Sequence, residues 1–261
     1  MTLSITSTSD SYVTNPGRSS LVFHALPSIY FYCRVIPTVF RAARLARKKA
    51  FDSDEWIKKS LDIISYLEKV DCRFFVDGKK NFISLESPCV FVANHMSTLE
   101  TFAMAAIVRP HRPLTFVVKD SLVKYPVFKH IMKSRNPIVV SRKSPRDDFR
   151  AVMEQGIEKL AAGVSIVVFP QSVRTRSLDP EKFNSIGVKL ARKAGAPVVP
   201  LALKTDAWST GWPIKDMGRI RPERFIHFSF GRPIAIEGSG KAEHRQIVDF
   251  ISAKLARWNT V

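Results

Sequence analysis

Val90-Phe91-Val92-Ala93-Asn94-His95-Met96-Ser97-Thr98-Leu99-Glu100-Thr101 passes from an apolar run through a polar crossing into an apolar, alanine-rich segment. Val90 to Ala93 follows Pro88 and reads as a buried strand; Leu99 to Val108 reads as a helix. On one continuous helix, His95 and Glu100 would point roughly 140° apart. A strand-to-helix turn removes that restriction and lets the two side chains face each other at the carboxyl end of the strand. Open α/β sheets bind ligands in crevices at that end. A carboxylate beside a histidine fixes its tautomer and raises its basicity. The far ring nitrogen can then take a proton from a hydroxyl or thiol. A second reading stands beside this one: Ser97 followed by Glu100 has the spacing of a capping box, so Glu100 can close the first helical turn, and both roles can coexist.

Outward from this stretch, strands and helices alternate. A helix from Asp52 or Ser53 to about Val70 carries an apolar stripe of Ile57, Leu61, Ile64 and Leu67. Strands follow at Cys72 to Val76, Leu114 to Val118, Ile138 to Ser141, Ser165 to Phe169, Pro197 to Leu203 and Arg224 to Phe230. Ser165 to Phe169 is wholly apolar, as in a sheet covered on both faces. Helices are predicted over Asp148 to Ala161, Asn184 to Ala194 and Ala242 to Trp258, with Gly163 and Gly195 ending the first two. The regions around Tyr125-Pro126 and from Lys204 to Arg221 read as loops. This is an α/β pattern, two-layer or sandwich-like, with a mostly parallel or mixed sheet flanked by helices.

Several strands end in a distinctive polar group: Asn94-His95, Lys119, Arg142, then Arg174 with Arg176. Parallel strands would gather these groups at one edge, where the arginines can fork onto a phosphate; ordinary solvated caps are the alternative. Gln171 and Ser172 can bond a polar substrate or simply satisfy their loop. Trp208, Trp212 and Trp258 can face lipid or a cofactor, or pack in the core.

Forty-one Lys and Arg against 23 Asp and Glu give a formal net charge of +18. That favours an anionic partner, nucleic acid or an acidic membrane surface. The three cysteines are spaced for neither a zinc site nor a disulfide framework, and the dinucleotide and phosphate-loop fingerprints are missing. Residues 1–18, rich in Ser, Thr and Asn, read as mobile. Residues 21–40 are apolar and aromatic but interrupted by Pro27, Arg34 and Pro37, and Arg41, Arg44, Arg47, Lys48 and Lys49 follow. The pattern is poor for a spanning helix or a secretory signal and suits the interface of an anionic bilayer, or packing onto the body. Two regions are expected: a membrane-interface segment over 1–50 and a single α/β domain over 51–261.

The chain resembles the 1-acylglycerol-3-phosphate (lysophosphatidic acid) acyltransferase family of glycerolipid acyltransferases over about residues 70–232. Asn94-His95-Met96-Ser97-Thr98-Leu99-Glu100 is similar to the family's first block, a His followed after four residues by an acid. Val139-Val140-Ser141-Arg142 resembles the second block and Phe169-Pro170-Gln171-Ser172-Val173-Arg174 the third. Val198-Val199-Pro200-Leu201-Ala202 resembles the fourth. Lys119 and Gly187 stand in familiar settings.

The resemblance implies a glycerolipid acyltransferase fold with a membrane-associated amino-terminal helical segment. It implies transfer of a fatty acyl group from acyl-CoA or acyl carrier protein to the free hydroxyl of a lysolipid, 1-acylglycerol-3-phosphate before others. His95 would be the base, Glu100 its orienting acid, and Arg174 the phosphate-binding arginine with Arg142 and Lys119 assisting; Arg176, a departure from the family pattern, adds another positive group on the substrate side. Gln171 would lie by the glycerol, beside Ser172. No metal, no permanently bound cofactor and no nucleic acid are expected. The partners would be the lysolipid, the acyl donor and an anionic membrane, with the catalytic body on the cytoplasmic side, at the inner membrane if the source is bacterial. Glu100 stands for the usual Asp, Gln171 for Glu, and Ser172-Val173 for Gly-Thr. These departures keep three alternatives in view: a different lysolipid such as a lyso-amino-acid lipid, a thioesterase, and a lipid-binding protein without chemistry.

Overall fold

A computed structural model describes residues 4–15, 26–171 and 173–260. Eight strands form one mixed sheet: β1 (Tyr12–Val13), β2 (Phe74–Asp77), β3 (Val90–Ala93), β4 (Leu114–Lys119), β5 (Ile138–Val140), β6 (Ser165–Val168), β7 (Val198–Lys204) and β8 (Ile226–Phe230). Their spatial order is β1-β2-β8-β7-β3-β6-β4-β5. Strands β3 to β7 pair in parallel, so their carboxyl ends share one edge. Strand β8 runs antiparallel to β7 and parallel to β2, and β1 closes the far side antiparallel to β2.

Alternation along the strands builds two cores. Val90 and Val92, with Ile166, Val168 and Val198, face α7 (Pro145–Ala161), α8 (Ile186–Ala194) and α9 (Lys241–Asn259). Phe91 and Ala93, with Val167, Val199 and Leu201, face α1 (Pro27–Arg47), α2 (Ser53–Lys69) and α4 (Leu99–Val108). Both faces are covered, so the molecule has three layers, the sandwich-like form of the two left open from sequence. The caps match the local chemistry: Asp52 accepts from Glu55 N at 2.9 Å at the start of α2, and Ser144 accepts from Asp147 N at 3.3 Å at the start of α7. Gly195 ends α8 in the left-handed conformation at φ 64°.

Three expectations are corrected. The first is the membrane-associated amino-terminal helical segment: no described helix is long and apolar enough to cross a membrane. Residues 27–47 form one continuous helix in spite of Pro37, interspersed with arginines, and its inner face buries Phe31, Val35, Thr38, Ala42 and Ala43 against the body. Phe31 meets Trp208 edge to face at 4.7 Å. Residues 21–25 of the apolar block lie outside the described residues. The second correction concerns the amino end. Residues 4–15 are ordered because they satisfy two buried charges: Tyr12 and Thr14 hydroxyls donate to Glu68, and Lys79 Nζ donates to the carbonyls of Ile5 and Ser7 at 3.0 and 2.6 Å. Residues 16–18 lie outside the described ones. The third is the loop around Tyr125, which carries two short helices, α5 (Asp120–Lys124) and α6 (Phe128–Ser134). A one-turn helix α3 (Lys80–Ile83) follows β2.

Candidate active site

The crossing from β3 to α4 is held from three sides. Asn94 bonds the backbone of Leu203 in β7 twice, donating from Nδ2 and accepting from Leu203 N, each at 2.8 Å. His95 N donates to Gln171 Oε1 at 2.9 Å, and Thr175 N donates to the His95 carbonyl at 2.9 Å. The loop after β6 therefore grips the histidine's backbone on both sides. The ring of His95 stacks on Phe169, with centroids 4.3 Å apart and planes 21° from parallel.

Glu100 is fully buried and divides its two oxygens between two tasks. Oε1 accepts from Met96 N at 2.7 Å, Ser97 N at 2.9 Å and Thr205 Oγ1 at 2.6 Å. These bonds satisfy amides at the opening of α4, where the helix dipole also favours negative charge. Oε2 accepts from His95 Nδ1. That bond puts the proton on Nδ1 and leaves Nε2, across the ring, as the basic nitrogen. Capping and orientation are thus both done by one carboxylate.

His95 lines a cavity of about 460 Å³ whose wall mixes basic and apolar side chains. Thr98, Lys119, Arg142, Arg174, Lys215 and Asp216 are among its polar lining, and Asp216 joins Thr98 to Arg174. Trp56, Ile63, Phe116, Leu122 and Ile131 are among its apolar lining. Arg142 sits at φ 58° directly after β5, and Asp148 of α7 accepts from Ser141 N and Arg142 N at 2.6 and 2.7 Å to hold that turn. Arg174 Nη1 pairs with Asp216 Oδ1 at 2.6 Å. Burial disfavours the charged form of Asp216, but the Thr98 hydroxyl and the Arg174 guanidinium outweigh it and hold the carboxyl below its usual range.

The structure therefore gathers His95, Glu100, Lys119, Arg142 and Arg174 at one sheet edge. Gln171 is buried and does not line the cavity; Oε1 holds His95 and Nε2 donates to Thr175 Oγ1 at 2.7 Å. Arg176 is exposed and also off the lining, and Ser172 lies outside the described residues. Sequence reasoning missed Asp216 and Thr205. Both come from the segment after β7, more than 100 residues beyond the motif they touch, and carried no local signal. Phe169 stood inside a quoted motif without a role. Among the described residues, no three His, Cys, Asp or Glu side chains group as a metal site.

A three-layer α/β fold with a His–Glu pair and several basic side chains at the parallel edge, beside a cavity of mixed basic and apolar lining, defines a candidate active site. The chain belongs to the acyltransferase family, whose profile matches residues 73–204. A 1-acyl-sn-glycerol-3-phosphate acyltransferase of Pseudomonas aeruginosa is 33% identical over 168 residues, 64% of this chain and 62% of that protein. A chloroplastic 1-acyl-sn-glycerol-3-phosphate acyltransferase of Brassica napus is 27% identical over 49% of this chain and 36% of its own length. Both matches thus span less than two thirds of the relative. The crystal structure of the 1-acyl-sn-glycerophosphate (LPA) acyltransferase PlsC from Thermotoga maritima superposes with a TM-score of 0.70. It covers 92% of this chain and 98% of its own at 19% identity, a likeness of fold.

Proposed function

We propose that the chain transfers a fatty acyl group from acyl-CoA or acyl carrier protein to the free hydroxyl of a lysophosphatidic-acid-like acceptor, 1-acylglycerol-3-phosphate first. The observation that carries this is the His95–Glu100 pair on a cavity lined by both basic and apolar side chains. His95 Nε2 removes the hydroxyl proton as the oxygen attacks the thioester carbonyl. The new C–O bond forms, the C–S bond breaks, and the imidazolium returns the proton to the leaving thiolate. Glu100 keeps the tautomer and stabilises the imidazolium. A backbone amide of the loop after β6 would donate to the developing oxyanion, since Met96 N and Ser97 N are held by Glu100. Arg174, Arg142 and Lys119 take the phosphate; Gln171 positions the loop that carries Arg174, and Arg176 adds to the attracting field.

Peripheral attachment to an anionic membrane on the cytoplasmic side completes the reading. The proposed division is an amino-terminal segment over 1–50 and the acyltransferase body over 51–261, with residues 4–15 and the inner face of α1 packed on that body. The outward-facing Ile29, Ile36 and Phe40 of α1 and the basic run that follows support the attachment.

The test is a lipid-product assay in anionic vesicles with labelled acyl donor, a panel of lysolipids and the His95→Ala variant. A diacyl lipid forms with wild type, and its rate falls by roughly 100- to 10,000-fold in the variant. An unimpaired variant rejects the role of His95. Free fatty acid in place of acylated lipid identifies a thioesterase instead.

A further inference from the structure

The segment between β7 and β8 lines part of the cavity and leaves the apolar side chains of its tip exposed. Its base is held firmly. Ser209 N and Oγ both donate to the Arg219 carbonyl, at 3.1 and 2.7 Å. Ile220 N donates to Ser28 Oγ of α1 at 2.9 Å, and Trp208 Nε1 donates to the Asp216 carbonyl at 3.2 Å. The tip closes on itself through Gly211 N to the Lys215 carbonyl and Met217 N to the Ile214 carbonyl, each at 3.0 Å. A Cβ on Gly218 would lie 1.8 Å from the Ser209 carbonyl oxygen, so only glycine permits this closure. Inward, Thr210, Lys215 and Asp216 line the cavity.

Outward, Trp212 is 94% exposed, Ile214 48% and Met217 44%, and Val173 stands 63% exposed on the loop that carries Arg174. Large apolar side chains held in water on an internally bonded loop mark a surface that something covers. The features favour lipid as that partner. Tryptophan, with an apolar ring and a polar N–H, settles at membrane–water interfaces. Lys215 and Arg219 flank the apolar tip, and the chain carries +18 overall, complementary to an anionic surface. The same loop lines the cavity, so lipid lying against it meets the entrance.

We propose that residues 210–217, together with Val173, form a lipid-docking surface that inserts Trp212 into an anionic bilayer and sets the cavity mouth against it. The orientation of the mouth rests on the acyltransferase reading; the docking does not, and is measured without turnover. The full chain is titrated with phosphatidylglycerol vesicles, with phosphatidylcholine vesicles as the uncharged control, and tryptophan emission is followed. Trp56 and Trp208 are buried and Trp258 stacks on His227, so a blue shift on phosphatidylglycerol comes from Trp212 and disappears in Trp212→Phe. A second variant, Trp212→Ser with Ile214→Ser, binds these vesicles more weakly by about tenfold or more, with an unchanged melting temperature. In that variant, transfer to a vesicle-embedded acceptor falls while transfer to a short-chain acceptor in free solution is retained. If neither acceptor is acylated even by wild type, the acyltransferase reading fails, and the vesicle titration still decides the docking. An equal shift in Trp212→Phe overturns the proposal, as does equal vesicle binding by the double variant. So does a shift that grows with protein concentration without vesicles, since a second copy then covers the loop.

Discussion

Glu100 shows how little room a buried carboxylate leaves for substitution. Its Oε1 holds three donors while Oε2 faces His95. Glu100→Gln separates the two roles. The amide oxygen can still accept from Met96, Ser97 and Thr205. The amide nitrogen, however, faces Nδ1 as a donor and forces the His95 proton onto Nε2. The expected outcome is a rate lower by roughly 100- to 10,000-fold, with a much smaller change in melting temperature. Equal losses in both would mean that capping is the whole role. Asp216 calls for a different measurement. It neutralises Arg174, the arginine assigned to the acceptor phosphate, and any anion there must sit beside its carboxylate. Asp216→Asn lowers KM for lysophosphatidic acid by roughly 3- to 10-fold, as expected from removing one like charge in a partly solvated site. A raised KM would make Asp216 a positioning residue for Arg174.

At the scale of elements, close approach decides what can change. Gly187 in the first turn of α8 lies against β3, and a Cβ there would meet Val92 Cγ2 at 2.6 Å. Val92 is β-branched and stiff, so it yields poorly. Gly187→Ala therefore costs about 1–3 kcal/mol, read as a lower thermal midpoint, whereas Gly163→Ala meets no atom and is strained only through its φ of 79°. Elements with strong periodicity were legible in sequence. Val90–Ala93 and Leu99–Val108 occupy the residues their apolar patterns indicate, and α2, α7, α8 and α9 differ from expectation only at their ends. Elements without a pattern were not legible. Strand β1 is two residues long and exists because β2 offers an edge and Glu68 needs donors. Helices α5 and α6 are single turns or little more, too short for periodicity to register. In the site, the members inside the strand-end blocks were visible, while Asp216 and Thr205 were hidden in a segment that reads only as loop.

Over the whole molecule, half-buried histidines held in neutral form tie stability to pH. His227 lies between Phe75 and Trp258, stacked on both, with centroids 5.0 and 4.6 Å away. Burial first, and the nearby Lys204 ammonium second, push its pKa down to about 4 from 6.5. Burial lowers His111 and His244 as well. A depressed histidine stays neutral in the fold while the unfolded chain takes up the proton. Stability is therefore full above about pH 6.5 and is lost as pH falls toward 4. A melting series over that window shows the decline, and His227→Phe, which keeps the aromatic stack, flattens it by about 1–2 kcal/mol. An unchanged slope would assign the acid sensitivity to the other histidines.

The sequence by itself determined the α/β alternation, the strand-to-helix crossing at His95 and the basic groups at strand ends, because periodicity, capping and turn chemistry act over a few residues. Only the tertiary structure decided the strand order, the packing of α1 on the body, and the meetings of Glu100 with Thr205 and of Arg174 with Asp216. Those depend on which apolar faces bury one another, and burial energy follows area rather than position along the chain. The parallel course of β3 to β7 turned separate strand ends into one site.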